Sequence, residues 1–302
     1  MFANDACLSR RVLYRLGSTL LVLILFSTPA AAWGEEGHHV VAMIAARHLT
    51  PAAETEINTI LMNGLCSSQP TVTDKLVCVS LWADGSRFST HKHTYNWHFV
   101  DISLNHQTYD AARDCPPKPG EEAKGFCGLA GLDHSLKILR KEITDPKITR
   151  AQALMFVVHI VGDLHQPLHT VHEGLGGNFH TVKYFGFWSQ MHKVWDGKII
   201  GTRLIKLGQD EEEYADTLNL ELTSVLGSYQ QGDPISWLNA THSKAIDDAY
   251  GWKFKDGKAQ GSGGRKYPWL RNNYYEHNVD IVEDQLKRGG ARLARILNDA
   301  IG

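Results

Sequence analysis

Apolar residues recur at helical spacing along most of the chain beyond residue 33, with polar residues between them. The segment Thr149–Gln166 is apolar nearly all round, which predicts a central, buried helix. Pro146 separates it from the preceding helix, and Pro167 stops it. The other predicted helices are Val40–Leu49, Thr50–Gly64, Leu129–Asp145, Glu211–Leu226 and Val279–Ile301.

Two segments interrupt this helical pattern. Phe179–Phe185 alternates weakly between apolar and polar residues, which indicates a short strand. Gly251–Lys266 is rich in Gly and Lys and predicts an exposed loop. The pattern as a whole favours an all-α fold, a single mainly helical domain over residues 33–302 with long loops and a small β-hairpin.

The first 32 residues have a different pattern. Three arginines between residues 10 and 15 precede an apolar run from Leu20 to Phe26, and a triplet of alanines ends at Ala32. This order is typical of a signal peptide that is cleaved near Ala32. The alternative is an uncleaved membrane anchor, for which the apolar run is short. We therefore expect a secreted or periplasmic protein with no membrane attachment in its mature form.

Composition and charge narrow the classes of function that are open to the chain. The apolar fraction of 43% is ordinary for a globular protein, and 31 Lys and Arg nearly balance 33 Asp and Glu. This balance argues against a long basic groove for nucleic acid, but not against an enzyme that grips phosphate in another way. The 16 histidines stand out, because Tyr and Phe number only 10 each.

Export would place the four cysteines beyond residue 32 in an oxidising compartment. Their spacing favours the pairs Cys66–Cys78 and Cys115–Cys127, although four cysteines allow three pairings. A Cys-rich zinc site is the weaker alternative, because no C-x-x-C pair is present.

The segment Phe156–His169 carries the strongest chemical signal. His159 and Asp163 are four residues apart, so both project from the same face of the predicted helix. A metal ion could bind between them, and a structural His–Asp pair in a polar pocket explains them equally well. His169 follows on the turn after Pro167.

Other segments repeat these residue types. His192 and Asp196 have the same one-turn spacing, for which an exposed turn is the simpler explanation in isolation. Asp84 lies beside apolar residues, where an unpaired carboxylate would be costly, and an ion pair with Arg87 is the alternative. His98 lies in an aromatic run, where a packed core histidine is the more common explanation.

Cleavage after Ala32 would create a new N-terminus at Trp33, five residues before His38. A free α-amine titrates near neutrality and can act as a neutral nitrogen ligand, although a frayed terminus is the usual case. Imidazole, amine and carboxylate together form a ligand set that suits zinc.

In this order the segments resemble the trinuclear zinc nucleases of the S1/P1 type, which include mung-bean nuclease and share a superfamily with zinc phospholipase C. The resemblance covers nearly all of the chain beyond the signal peptide. It rests on Trp-Gly-x-x-Gly-His from Trp33, Trp-Ala-Asp ending at Asp84, His-Phe-x-Asp from His98, Val-His-x-x-Gly-Asp-x-x-Gln-Pro-Leu-His ending at His169, Gly-Gly-Asn ending at Asn178, and Lys-Arg-Gly-Gly-x-Arg-Leu from Lys287.

The resemblance implies three zinc ions per chain, each with its own ligands. The first would be held by Asp84, His98, His159 and Asp163; the second by the amine and carbonyl of Trp33, by His38 and by Asp163 as a bridge; the third by His169, His192 and Asp196.

It also implies contacts to substrate. Phe99 would stack on a nucleobase whose edge is hydrogen-bonded by Asp101, Arg87 would contact phosphate, and Asn178 would lie near the site. Because a paired base is hidden in a duplex, stacking on Phe99 would favour single strands.

By the same resemblance, the enzyme would hydrolyse single-stranded DNA and RNA to 5′-nucleotides and would also act on 3′-nucleotides. Asp163 would bridge two zinc ions that lower the pKa of a shared water, and Asp84 and Arg87 would assist catalysis. We expect a monomer without a stable protein partner.

Two alternatives remain open at this point. A phospholipase C on the same scaffold would use a similar zinc set, but its last ligand is typically Glu, where this chain has Asp196. A non-catalytic exported zinc-binding protein would explain the many histidines but not a bridging Asp163 beside a free N-terminus.

Overall fold

The computed structural model describes residues 33–117, 125–251 and 267–302, and the backbone of 254–255 and 258–259. The predicted signal peptide, 1–32, lies outside the described residues. Within them, no helix combines the length and apolarity that crossing a membrane requires.

The described residues fold mainly into helices, which confirms the predicted class. The α-helical segments are α1 Glu35–Ala46, α2 Pro51–Ile60, α3 Val72–Val79, α4 Trp82–Ser86, α5 Ala111–Asp114, α6 Gly128–Leu139, α7 Arg150–Asp163, α8 Gly174–Gly177, α9 Met191–Lys193, α10 Ile199–Leu207, α11 Glu211–Leu222, α12 Leu226–Tyr229, α13 Pro234–Lys244 and α14 Asn272–Ile301. Turns of 3-10 geometry occur at Lys92–His98 and Pro167–Thr170, and turns of π geometry occur at Val194–Lys198 and Ala245–Tyr250.

Helix α7 is the central buried helix that the apolar pattern predicts. Thr149 and Gln152 form a capping box at its start, in which each side chain accepts from the backbone N–H of the other. Every residue from Ala153 to Asp163 is buried. The helix ends at Asp163 rather than Gln166, and the chain then enters the 3-10 turn that begins at Pro167.

Other helix ends differ from the prediction for local reasons. Helix α1 begins at Glu35 rather than Val40, because its first turn also packs inward and buries His38. Helix α6 ends at Leu139, shortly before Lys141 takes a left-handed φ of 63°. Helix α14 extends back to Asn272, since two buried tyrosines continue its packed face.

The core forms where α1, α7 and α14 meet. Helix α1 packs on α14 and also contacts α3, α7 and α11, while α6 lies along α7. At the α1–α14 contact, Gly290 faces Ile44 so closely that a Cβ on residue 290 would overlap it. These contacts surround α7 with helices and fix the direction of its His and Asp side chains.

A small sheet flanks the helices, which confirms the predicted hairpin. Strands β1 (Thr181–Tyr184) and β2 (Phe187–Gln190) pair antiparallel through a turn at Phe185 and Gly186, both with positive φ. Within the segment predicted as a loop, the backbones of β3 (Phe254–Lys255) and β4 (Lys258–Ala259) pair, and the rest of that segment after Gly251 lies outside the described residues. Strand β5 (Trp269–Leu270) joins β1 in parallel.

Two disulfides join Cys66 to Cys78 and Cys115 to Cys127, which confirms the preferred pairing. The second bridge ends at the residue before α6, whose first backbone N–H, at Gly128, donates to the carbonyl of Phe99 (2.8 Å). The bridge therefore ties the start of α6 to the segment that carries Phe99.

Candidate metal centre and substrate cavity

Helix α4, the 3-10 turn ending at His98 and helix α7 bring four predicted ligands together. The Nδ1 atom of His98 lies 2.9 Å from Nε2 of His159, and these nitrogens are 3.3 and 3.1 Å from Oδ2 of Asp163. The Oδ1 atom of Asp84 lies 3.5 and 3.6 Å from the same two nitrogens. Ligands at 2.0–2.1 Å in a tetrahedron around zinc are about 3.3 Å apart, so this spacing fits one ion.

The two oxygens of Asp163 face different histidines. Oδ2 faces the cluster just described, whereas Oδ1 lies 3.3 Å from Nε2 of His38. The side chain of Trp33 is completely buried, and a Cβ built on Gly162 would lie 3.8 Å from it and 2.9 Å from the His38 ring. The carboxylate thus has the geometry of a bridge between two ions, beside the start of the described chain.

A third cluster consists of His169, His192 and Asp196, which follow α7 along the chain. Nε2 of His192 lies 3.4 Å from Oδ2 of Asp196, and Nε2 of His169 lies 4.0 Å from its Oδ1. All three side chains are buried. Gln166 donates its amide N–H to Oδ1 of Asp196 (2.6 Å), which fixes that carboxylate.

Backbone carbonyls orient three of the histidines. His159 donates its Nδ1–H to the carbonyl of Ser80, and His169 donates to that of His98, each at 2.6 Å. His192 donates in the same way to Gly176, also at 2.6 Å. A proton held on Nδ1 leaves Nε2 free to bind a metal ion, so the carbonyls select the tautomer that a ligand needs.

Several buried atoms of these clusters have no hydrogen-bond partner, which is costly unless another group satisfies them. They include both ring nitrogens of His38, both carboxylate oxygens of Asp84 and of Asp163, and Nε2 of His169. Nitrogen and carboxylate oxygen together suit a zinc ion, so the residues fit the metal that the sequence implies.

Burial and charge shift the pKa values of the clusters. Burial lowers the pKa of His38 and of His98 to about 4, and that of His192 to about 3. These rings are therefore neutral at pH 7, the form that binds metal. Burial alone would also lower the pKa of His159, but the charges of Asp163 and Asp84 outweigh it and raise the value to about 10.

The predicted substrate contacts line one cavity of about 300 Å³ that reaches the third cluster. Arg87 lines this cavity, and its guanidinium is 3.2 Å from Oδ1 of Asp84. Phe99, Asp101 and Asn178 also line it, and the amide of Asn178 donates to the Leu175 carbonyl (2.9 Å). Burial raises the pKa of Asp101.

Comparison with known proteins agrees with this geometry. A family model described as S1/P1 Nuclease matches residues 33–302. The chain belongs to the S1/P1 nuclease family. It is therefore a nuclease, a hydrolase that acts on phosphoric ester bonds.

Three relatives illustrate the similarity. Nuclease PA3 of a Penicillium species is 29% identical over 286 residues, covering 89% of this chain and 98% of the relative. Endonuclease 2 of Arabidopsis thaliana is 27% identical, covering 94% of this chain and 96% of the relative. Nuclease S1 of Aspergillus oryzae is 27% identical, covering 88% and 91%.

The structure of this nuclease adds residues that the sequence did not single out. Gln166 and Gly176 position the third cluster, although both lie within motifs already noted. Phe88 and Tyr95 line the same cavity as Arg87; Phe88 is the next residue in the chain, whereas the fold brings Tyr95 beside both.

His165 and His172 lie near the proposed ligands in sequence but outside the ligand pattern. His165 donates to the Val161 carbonyl (2.7 Å) and accepts from Arg292 (2.8 Å), so both of its nitrogens are used within the fold. His172 is exposed and lines a neighbouring cavity.

Proposed function

We propose that the chain is an exported, zinc-dependent nuclease that hydrolyses single-stranded DNA and RNA to 5′-nucleotides and also acts on 3′-nucleotides. The observation that carries the proposal is a set of three largely buried His and carboxylate clusters, of which the third lines an aromatic cavity that also contains Arg87. The family membership supports the nuclease activity, and the site suggests its substrates.

The proposed ligands divide as the clusters do. Asp84, His98, His159 and Asp163 would hold one zinc ion; Trp33, His38 and Asp163 a second; His169, His192 and Asp196 a third. Zinc bound there would supply positive charge for phosphate oxygens and would lower the pKa of water.

Protein side chains would orient the attacking water and bind the phosphate. Asp84 is 12% exposed and faces the clusters, so it can orient the attacking water and accept its proton. Arg87 is buried beside it and would donate hydrogen bonds to the phosphate as charge builds up in the transition state.

Recognition of the base would use Phe99 and Asp101. Phe99 is partly exposed in the cavity, where it can stack on an unpaired base, and Asp101 can hydrogen-bond the edge of that base. Asn178, which lines the same cavity, would contact the same nucleoside. Because stacking needs an unpaired base, these contacts support a preference for single strands.

Export and maturation belong to the same proposal. Residues 1–32 would be a signal peptide and residues 33–302 the nuclease domain, secreted or periplasmic and acting as a monomer. The two disulfides are consistent with an oxidising compartment. Cleavage after Ala32 would free the α-amine of Trp33 as a metal ligand.

The two alternative functions have less support. A phospholipase C does not need a planar stacking residue such as Phe99 beside an acceptor such as Asp101. A storage protein would not need an arginine in the cavity beside the metal ligands.

Metal analysis of the mature protein, combined with a product assay on single-stranded oligonucleotides, tests the proposal. We expect three zinc ions per chain and release of 5′-nucleotides, lost on chelation and restored by zinc. Phosphocholine release from lipid, or zinc binding without turnover of any nucleotide, would contradict it.

Maturation can be tested separately with one residue added before Trp33. Such a chain should lose the second zinc ion and its activity, because an amide nitrogen replaces the amine. Full activity of the extended chain, its extension verified by mass spectrometry, would rule out this ligand.

A further inference from the structure

Phe99 and Asp101, the proposed contacts to the base, border two cavities. One is the substrate cavity, and the other has a volume of about 410 Å³ and is also lined by Arg113, Pro116 and Cys127. A side chain that borders two open spaces is held by fewer packing contacts than a core side chain. The placement of these two residues therefore depends strongly on how their backbone is held.

Backbone hydrogen bonds hold this segment on two sides. The N–H of Val100 donates to the carbonyl of His169, and the N–H of Gly128 donates to the carbonyl of Phe99, each at 2.8 Å. Gly128 is the first residue of α6, so its bond also satisfies one of the N–H groups that a helix leaves unpaired at its start. The base-binding segment and the start of α6 thus fix each other.

A disulfide, rather than a capping side chain, holds the start of α6. Cys127 occupies the N-cap position, where Ser, Thr, Asp or Asn would usually supply an acceptor, and it makes no side-chain cap hydrogen bond. Instead its sulfur is bonded to Cys115, and both cysteines are buried. Beside the bridge, the N–H of Phe126 donates to the carbonyl of Pro116 (3.2 Å).

The other end of this bridge is anchored away from the substrate cavity. Cys115 follows α5, in which Asp114 accepts two hydrogen bonds from the guanidinium of Arg113 (2.6 and 2.7 Å). Shortly before α5, the N–H of Tyr109 donates to the side chain of Asn239 on α13 (2.8 Å). The disulfide therefore connects the start of α6 to a segment that is fixed on α13.

We propose that the Cys115–Cys127 disulfide is a positioning element for recognition of the base. It fixes Gly128, whose N–H holds the Phe99 carbonyl, so that the ring of Phe99 and the carboxylate of Asp101 can contact the same base. The proposal rests on the proposed nuclease function and deepens it.

The proposed metal ligand beside this segment has its own support. His98 directly precedes Phe99, but its ring is completely buried and its carbonyl accepts from Nδ1 of His169 (2.6 Å). Removal of the bridge should therefore leave the zinc content per chain unchanged and weaken only the contacts to the base.

The double variant Cys115→Ala/Cys127→Ala tests the proposal. Its kcat and KM are measured on a 3′-deoxynucleotide and on the abasic analogue of that nucleotide, in which hydrogen replaces the base. Displacement of Phe99 from the base should lower kcat/KM on the nucleotide about 5- to 100-fold, through KM rather than kcat. On the abasic analogue, kcat/KM should stay within about twofold of the wild-type value.

The second disulfide provides a matched control, because the cysteines of each bridge are 12 residues apart in sequence. Loops of equal length give the two bridges a similar entropic contribution to stability. Cys66→Ala/Cys78→Ala should therefore lose a similar amount of stability but keep the wild-type ratio of the two kcat/KM values. Both double variants are assayed below their melting temperatures, and their zinc content is measured.

Gly128→Pro tests the hydrogen bond to Phe99 while the disulfide stays intact. Proline lacks the N–H that donates to the Phe99 carbonyl, and it is well tolerated at the first position of a helix. We expect the same loss on the nucleotide and the same retention on the abasic analogue. Should Cys115→Ala/Cys127→Ala fail to fold, Gly128→Pro carries the comparison.

Three outcomes would overturn the positioning role. Equal losses on both substrates, or a loss of zinc, would mean that the bridge supports the fold or the metal clusters as a whole. No loss on either substrate would mean that Phe99 is positioned without the bridge, and the same change of ratio in Cys66→Ala/Cys78→Ala would mean that the effect is not specific. A wild-type enzyme inactive on the nucleotide and on single-stranded oligonucleotides would contradict the proposed function itself, which distinguishes the two failures.

Discussion

Gly162 shows how closely the proposed metal centre is fitted around single residues. It precedes Asp163 on α7 and lies opposite the His38 ring. A Cβ added at residue 162 would be only 2.9 Å from Nδ1 of His38. Only a residue without a side chain lets α1 bring His38 this near to the carboxylate.

We expect Gly162→Ala to displace His38 without removing any ligand. Zinc content per chain should fall, and kcat/KM should drop about 10- to 100-fold, the cost typical of disturbing the support of a metal ligand. Metal analysis and the oligonucleotide assay measure both effects. Gly201→Ala on α10, where a Cβ would meet nothing within 4 Å, is the matched control and should keep full zinc and activity.

At the scale of elements, the contact between α1 and α14 decides where the N-terminal half of the site lies. Gly289 and Gly290 form the surface of α14 that receives α1, and a Cβ on Gly289 would lie 3.2 Å from Val41. Because α1 also carries His38, this close packing holds a proposed ligand in place.

Gly290→Ala should therefore destabilise the protein, by about 1–3 kcal/mol, because the new methyl group would overlap Ile44. Chemical denaturation gives the free energy of unfolding. The same Gly-to-Ala change at Gly201 should instead stabilise by up to about 1 kcal/mol through helix propensity. Equal stability of the two variants would show that α1 and α14 do not pack closely.

An ion pair on α14 predicts a dependence on pH. Asp284 is partly buried, which would raise its pKa, but hydrogen bonds from Arg288 and Tyr229 (2.7 and 2.6 Å) outweigh burial and lower it. A lowered pKa in the folded state stabilises the fold above the unfolded value of about 3.9, and the gain disappears as pH falls through the folded pKa.

Asp284→Asn should accordingly cost about 1 kcal/mol at pH 7 and progressively less below about pH 4. Denaturation of both proteins across this range measures the difference. A difference that does not change with pH would show that the charge of Asp284 contributes nothing.

At the scale of the molecule, the site joins parts of the chain that are far apart in sequence. Helices α1, α4, α7 and α9 each contribute a proposed ligand, and so do the turns that contain His98, His169 and Asp196. Buried carboxylates and imidazoles without partners would oppose folding when no metal is bound.

Removal of zinc should therefore lower the melting temperature of the whole domain. A ligand present at about 1,000 times its Kd adds about 4 kcal/mol, equivalent to about 10 °C for a protein of this size. Scanning calorimetry before and after chelation, with zinc restored as the control, measures the shift. An unchanged melting temperature would argue against metal at these clusters.

The sequence determined the elements that depend on neighbours along the chain. The capping box of α7 and the one-turn spacing of His159 and Asp163 both follow from local rules. The resemblance to a known family added which proposed ligands would share a zinc ion, a question that residue spacing alone left open.

Only the tertiary structure decided which side chains meet. Asp84 and His159 share a cluster because α4 packs on α7, and no periodicity connects residues so far apart. The same packing brings Tyr95 to Arg87 and places His38 against Gly162, where a Cβ would lie 2.9 Å from the ring. Local propensity acts over a few residues, whereas these distances depend on the close packing of whole helices.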